Sequence, residues 1–426
     1  MSSSITNEKI VLTNNFSNQD AFDRLRISES NTLFQYELSL GKLPFFINEF
    51  TSGSASITSD SAIPTIDLNL TGIGKAIRQS YEYIPYQPGK SKLILMSGVL
   101  ITSDIVSDVV SRIGCFDDYV EKTDVAGSGN GLFFELNNKV LYVVKRLNRT
   151  VSDGDETRVA QSAWNYDKFD GTGPSGLTLT IANFIKGMIF AIDQEWLGVG
   201  RVRFGFIING LFNLCHSFNH FSTDAINVPY TKTAKLPIRY EISSSSSVSA
   251  TMRMFSSTVL SEGGYEPTGL NFSIGTQLGK TFTNTTVKKP IVSLKLREEE
   301  PYNRKTISMR KLSIIVSTSN AIQWDLYLLT NKNSLTNADW KNNNIDNSIA
   351  QYDLTSSAVN LTDAILLISG YANNSTINDF YYNKYLESSL INSSINGTSR
   401  VLCLVGLGLT NNNTTVYASI SWTEII

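Results

Sequence analysis

Val202-Arg-Phe-Gly-Phe-Ile-Ile-Asn-Gly-Leu-Phe212 decides how the rest of the chain is read. Asn209-Gly210 stands between two apolar runs, and both residues tolerate positive φ. The pair therefore predicts a two-residue type I′ hairpin. Working outward, short apolar runs recur with turn residues between them. Before the hairpin lie Lys92–Ile101, Leu132–Leu136, Val140–Lys145, Leu177–Ile181 and Met188–Ile192. After it come Ile291–Leu296, Leu312–Val316, Trp324–Leu329, Ile365–Ile368, Val401–Val405 and Tyr417–Trp422. Long 3.6-residue periodicity is absent, so the expected class is all-β, with sandwich or barrel packing.

The chain has 426 residues, enough for two or three domains. Four segments are expected. Residues 1–70 read as an extended N-terminal arm and residues 71–262 as a concanavalin-like or jelly-roll β-sandwich. Residues 263–290 read as a linker and residues 291–426 as a second β-sandwich. The arm alternates polar stretches such as Thr58-Ser-Asp-Ser with apolar anchors. The anchors Phe22, Leu25, Phe34, Phe45, Phe46 and Phe50, with Leu43, are the candidate assembly contacts. They dock either on a neighbouring subunit or on the chain's own domain; the first is the working expectation.

Composition excludes several function classes. A net charge of −2 does not make a basic nucleic-acid footprint, so no direct nucleic-acid contact is expected. The denser basic clusters, Lys288-Lys289 with Lys295 and Arg297, then Arg304 to Lys311, enclose Glu298-Glu-Glu300. That mixture reads as a salt-bridged surface or a subunit interface. Cys115, Cys215 and Cys403 are too scattered for a disulfide framework and read as reduced thiols. No apolar run is long enough to span a bilayer, and no signal-peptide pattern opens the chain. Phosphate-cradling and nucleophile-elbow motifs are absent, and Gly171 to Gly176 reads as a turn.

Two groups deserve chemical scrutiny. Asp193 and Glu195, two apart on an expected strand, would share a face. Phe190-Ala-Ile-Asp-Gln-Glu-Trp196 resembles the carboxylate strand of laminarinase-like glycosidases. In that family the first position is the nucleophilic Glu, and here it is Ala191. The reading is therefore a solvated strand face with Trp196 turned to the core, with no catalytic residue assigned. His216 and His220 would lie about 13 Å apart along a strand, too far for one metal. Neither a metal nor a cofactor is expected.

An ordered series of phrases carries a family resemblance. It runs Asp20-Ala-Phe-Asp-Arg-Leu-Arg-Ile-Ser-Glu29, Tyr86–Lys92, Arg112–Asp118, Asn130–Glu135, Asp170–Leu177, Glu195–Phe206 and Leu236–Ile242. Over residues 20–265 the chain resembles a family of virion structural proteins of tailed bacteriophages. The resemblance implies a non-enzymatic particle component, made in the host cytoplasm and assembled with other virion proteins, as a homo-oligomer. The alternative is a receptor- or glycan-binding appendage, with a host surface glycan as partner. Trp164-Asn-Tyr166 and Tyr371-Ala-Asn-Asn374 are the loop-tip aromatics that could stack on sugar.

Overall fold

The computed structural model describes residues 19–38, 42, 45–60, 62–102, 107–118, 129–148, 154–220, 228–264, 269–283, 286–299, 301–318, 320–343, 348–374, 378–381, 391–410 and 412–425. The fold is all-β, with 57% of the described residues in strands and 4% in helix. In the first module the strands are β1 Ser30–Tyr36, β2 Ile47–Asp60, β3 Thr65–Ser80, β4 Lys92–Val99, β5 Val109–Phe116, β6 Gly131–Asn137 and β7 Val140–Asn148. They continue as β8 Gly154–Ala160, β9 Met188–Gln194, β10 Val202–Ile208, β11 Leu211–Phe218, β12 Ile238–Ser244 and β13 Ala250–Glu262.

These strands form one antiparallel sheet doubled over on itself. Its order is β11-β10-β9-β4-β13-β3-β12-β5-β6-β7-β8, with β1 beside β13 and β2 beside β3. The long strand β3 makes the corner. Its first half, Ile66 to Leu70, pairs with β13, and its second half, Gly74 to Gln79, pairs with β12. Glycines permit the bend: Gly53 on β2 has φ +61°, and a Cβ there would lie 2.3 Å from the Ile73 carbonyl oxygen. The two leaves then face each other across a phenylalanine core. The ring of Phe134 on β6 lies 5.2, 5.3 and 5.2 Å from Phe190, Phe204 and Phe206 on the opposite leaf.

The hairpin that opened the reading is β10–β11, with Ile208 paired to Leu211. Asn209 and Gly210 have φ of 52° and 79°, as a type I′ turn requires. A Cβ on Gly210 would meet nothing within 4 Å. Gly210→Ala should therefore cost conformational strain alone, about 1–2 kcal/mol, measured as a lower urea midpoint at unchanged slope.

Three expectations need correction. Residues 30–70 are not an extended arm: β1, β2 and the start of β3 are strands of the first module's own sheet. Their polarity misled because β2 is an edge strand whose backbone is satisfied by β3 while many of its side chains face water. The expected linker contains strands Leu270–Gly275 and Lys280–Phe282, both paired with Thr414–Ile425. Leu177–Ile181 is no strand. Asn183 Oδ1 accepts from the Thr180 N–H and Oγ1 at 2.7 and 3.0 Å, and a short helix, Ile181–Phe184, starts there.

The second module packs two sheets around its own core. Trp422, Leu312, Ile314, Trp324, Leu326 and Leu404 are among the buried side chains that join them. Two arginines fasten the modules together. Arg304 Nη1 lies 2.6 Å from both Asp117 Oδ2 and the Tyr83 hydroxyl, and its Nη2 donates to the Asp118 carbonyl. Arg400 Nη1 donates to the Phe45 carbonyl at 3.0 Å, and its guanidinium stacks 4.2 Å over Tyr81.

Candidate binding face

The outer surface of the β9-β4-β13-β1 leaf follows from strand alternation. Ile94 and Met96 on β4, and Phe190 and Ile192 on β9, turn into the core. Leu95, Ser97, Ile189 and Asp193 therefore fall on the other side.

One end of this face is roofed by residues 19–28. Asp20 ties the roof into a turn, accepting from the N–H groups of Phe22 and Arg24 and from Arg24 Nε, each at 2.9 Å. Arg26 reaches Asp193 Oδ2 at 2.8 Å, and Arg203 bonds both Asp193 and, at 2.7 Å, the Gln19 carbonyl. Arg201 Nη2 holds the Ala21 carbonyl at 2.6 Å. The roof is thus fastened by charge rather than by apolar anchors.

The other end is open. A cavity of about 710 Å³ lies there, within the range of small-molecule sites. Register assembles it from four strands. Ile189 stands opposite Ser97, while Leu95, Thr258 and Gln35 stand opposite one another on β4, β13 and β1. Phe46, in the turn before β2, completes the wall. That turn is fixed at both residues: the Phe46 carbonyl accepts from the Tyr81 N–H at 3.0 Å, and the Phe45 carbonyl accepts from Arg400. Ser97 Oγ accepts from the Ser256 N–H at 3.1 Å, and Thr258 Oγ1 donates to the Phe34 carbonyl at 3.1 Å. The walls are therefore positioned before any ligand arrives, which lowers the entropy cost of binding.

The six sequence-derived contact residues scatter. Phe45 and Phe46 are exposed, at 43% and 38%, and Phe46 lines the cavity. Phe34 lies in the first module's core, because its side of β1 faces inward. Phe22 is half-buried on the roof under the Arg24 guanidinium, 4.5 Å away, and Leu25 is exposed there. Phe50 is half-buried on β2. Leu43 lies outside the described residues. Sequence reading missed Gln35, Leu95, Ser97, Ile189 and Thr258. The alternation through Lys92–Ile101 held a partial signal, since it places Leu95 and Ser97 on one side.

The remaining candidates are structurally occupied. Asp193 is fully buried under the roof, not solvated as expected, because Arg26 and Arg203 cover it. Glu195 lies beyond the end of β9, and burial pushes its carboxyl above the usual range. Trp196 packs against the core and donates Nε1–H to Thr231 Oγ1 at 2.9 Å. Trp164 is buried and Tyr166 is partly exposed, so this loop offers one ring, not two; Tyr371 is exposed. In the basic clusters, Lys288 pairs with Asp325 at 2.7 Å, Arg297 with Glu299 at 2.7 Å and Lys311 with Asp379 at 2.9 Å.

Each histidine has its own partners. His220 stacks on Tyr230 at 4.4 Å, with Nδ1 2.6 Å from the Gly200 carbonyl oxygen and Nε2 3.2 Å from Lys145 Nζ. His216 Nδ1 accepts from the Asn165 N–H at 3.3 Å, and burial lowers its pKa to about 4. The unfolded chain therefore takes up this proton first as pH falls from about 6.5. Stability should drop between pH 6.5 and 4. After discounting for solvent at the ring, the loss is about 1–2 kcal/mol. Urea titrations across that window should show a shallower drop in His216→Gln.

No family model matches the chain, and no curated protein does. Among solved structures it is similar to the Emp46p carbohydrate recognition domain in its metal-free form. That match has 10% identity and a TM-score of 0.35, covering 56% of this chain and 100% of the other. It is also similar to the Bacillus licheniformis beta-glucanase, at 11% identity and TM-score 0.33, covering 55% and 99%. A third likeness is the carbohydrate esterase vb_24B_21 of Shiga toxin-encoding bacteriophage phi24B, at 11% identity and TM-score 0.30, covering 55% and 100%.

Proposed function

We propose that this chain is a non-enzymatic recognition protein of a tailed-bacteriophage particle, binding a surface glycan at the open end of the β9-β4-β13-β1 face. One observation carries the reading. An exposed phenylalanine is held by backbone bonds from two sides over a cavity of about 710 Å³. Rigid exposed aromatics beside a concavity mark contact sites. The non-enzymatic part rests on Ala191 at the would-be nucleophile position and on Asp193, buried beneath the roof where a substrate has no access. The particle setting rests on the ordered phrases between residues 20 and 265.

A second reading, assembly with other virion proteins, is favoured by a different place. Strand Ile365–Ala372 ends its sheet with one strand neighbour among the described residues, and exposes Leu366 at 50% and Tyr371 at 67%. An apolar edge of this kind can take an added strand. Cryo-electron microscopy of the intact particle separates the readings. Recognition requires the Phe46 cavity to face solvent. A cavity covered by another particle protein would leave assembly as the role of this face.

A further inference from the structure

We infer that the second module is a working part of the recognition site: its hairpin loop of residues 391–400 fixes the turn that carries Phe46. The inference rests on the recognition reading above and adds the residues that set the geometry of that site. Gln35, Leu95, Ser97, Ile189 and Thr258 are placed by strand register within the first module. Phe46 instead sits in the turn just before β2 begins at Ile47, so its position depends on what holds that turn. Contacts from the second module hold it. Arg400 Nη1 donates to the Phe45 carbonyl at 3.0 Å. The same guanidinium stacks 4.2 Å over the Tyr81 ring, and the Tyr81 N–H is the donor that holds the Phe46 carbonyl at 3.0 Å. The Ile395 N–H donates to Asn48 Oδ1 at 2.9 Å, and Asn48 Nδ2 donates to the Tyr81 hydroxyl at 3.0 Å. Arg400, Asn48 and Tyr81 thus close a ring of contacts around the turn.

The hairpin loop is itself well tied. Its arms are linked by the Arg400 N–H to the Asn392 carbonyl at 3.0 Å and by the Ser394 N–H to the Thr398 carbonyl at 2.9 Å. At its base, Ile391 and Ile307 exchange backbone hydrogen bonds at 2.9 and 3.0 Å, and Ser399 Oγ accepts from the Leu296 N–H at 2.9 Å. Arg400 Nη2 donates to Asn392 Oδ1 at 2.6 Å, which aims the guanidinium at the turn. Arg400 and Asn48 are positioning residues: neither lines the cavity, and both act through Phe46. A wall fixed in advance lowers the entropy cost of binding, and a loosened supporting shell gives that gain back.

The test reads the turn and the ligand separately. Hydrogen exchange at the Tyr81 amide reports the turn with no ligand present. Affinity is measured for the oligosaccharide that gives the strongest signal on a glycan array probed with the full chain. Arg400→Ala, Arg400→Lys, Asn48→Ala and Arg304→Ala are compared, each well below its own thermal midpoint. Arg304→Ala is the control for cohesion, because Arg304 joins the modules at Asp117 and Tyr83. Arg400→Ala and Asn48→Ala should each speed Tyr81 exchange about tenfold and weaken glycan binding about tenfold. Arg400→Lys should recover part of both, since an ammonium can reach a carbonyl but lacks the planar fork that also holds Asn392 and stacks on Tyr81. Arg304→Ala should leave both at the wild-type value. If Arg400→Ala does not fold, Asn48→Ala and Arg400→Lys decide the matter. Unchanged Tyr81 exchange, or faster exchange with unchanged affinity, overturns the inference while leaving recognition by the first module standing. Equal losses in Arg304→Ala overturn it too, because the hairpin loop would then supply cohesion alone. Binding to no glycan on the array defeats the recognition reading itself, whatever the exchange shows.

Discussion

Arg304→Ala is expected to destabilise the protein by about 3–5 kcal/mol, the usual cost of stranding a buried charge. Arg304 comes from the second module and reaches into the first, where Asp117 is 2% exposed. Without the guanidinium, Asp117 keeps the Asn130 N–H at 2.9 Å and the Tyr83 hydroxyl at 3.3 Å, but no cation among the described residues. The Asp118 carbonyl loses its donor as well. Arg304→Lys should rescue part of this loss, because an ammonium restores charge but not the planar fork. The wild-type modules should unfold together in urea, and the Ala variant should separate into two transitions. A loss under about 1 kcal/mol with one transition would mean that the junction is an ordinary surface pair.

A comparable loss is expected from Arg112→Ala. Arg112 bridges Glu135 Oε2 at 2.7 Å and Glu241 Oε1 at 2.8 Å, and both carboxylates are buried. They belong to a network on the outer surface of β12, β5, β6 and β7 that also includes Lys75, Asp118, Arg146 and Arg239. Burial alone would raise the Glu241 pKa. Arg239 and Lys75, with a smaller pull from Arg112, override it and hold the carboxyl at about 2. Asp118 is likewise pulled well below the usual range, against its burial, by Arg239, Lys75 and Arg146. The sign follows from linkage: these depressed carboxyls stabilise the fold above about pH 4.5 and lose that contribution as pH falls towards 2. The Arg112→Ala deficit should be about 3–5 kcal/mol at pH 7 and should shrink below pH 4.5. A deficit constant down to pH 2.5 would show that packing against Phe133, 5.7 Å from the guanidinium, dominates instead.

The hairpin at Asn209-Gly210 was legible because turn chemistry and the flanking apolar runs agree within eleven residues of sequence. The early strands were not. Thr58-Ser-Asp-Ser looks unfoldable by side-chain burial, yet it sits at the edge of a sheet where backbone pairing with β3 does the holding. Phe34 looked like a docking anchor because polar residues precede the short Leu33-Phe34 pair, and strand alternation turns Phe34 into the core. The cavity was hidden for another reason. Gln35, Leu95, Ile189 and Thr258 are far apart in sequence and meet through strand register, which a single sequence does not display. The roof was misread in kind: its phenylalanine and leucine drew attention, while Asp20, Arg24 and Arg26 do the fastening.

Recognition without turnover at the Phe46 cavity is tested most directly by saturation-transfer NMR on a host-surface oligosaccharide mixed with the full chain. Transfer from protein to sugar ring protons should appear, fall away in Phe46→Ala, and leave the anomeric signals unchanged over days. Absence of transfer, or transfer indifferent to Phe46→Ala, would contradict binding at this face. New reducing-end signals would contradict the non-enzymatic claim.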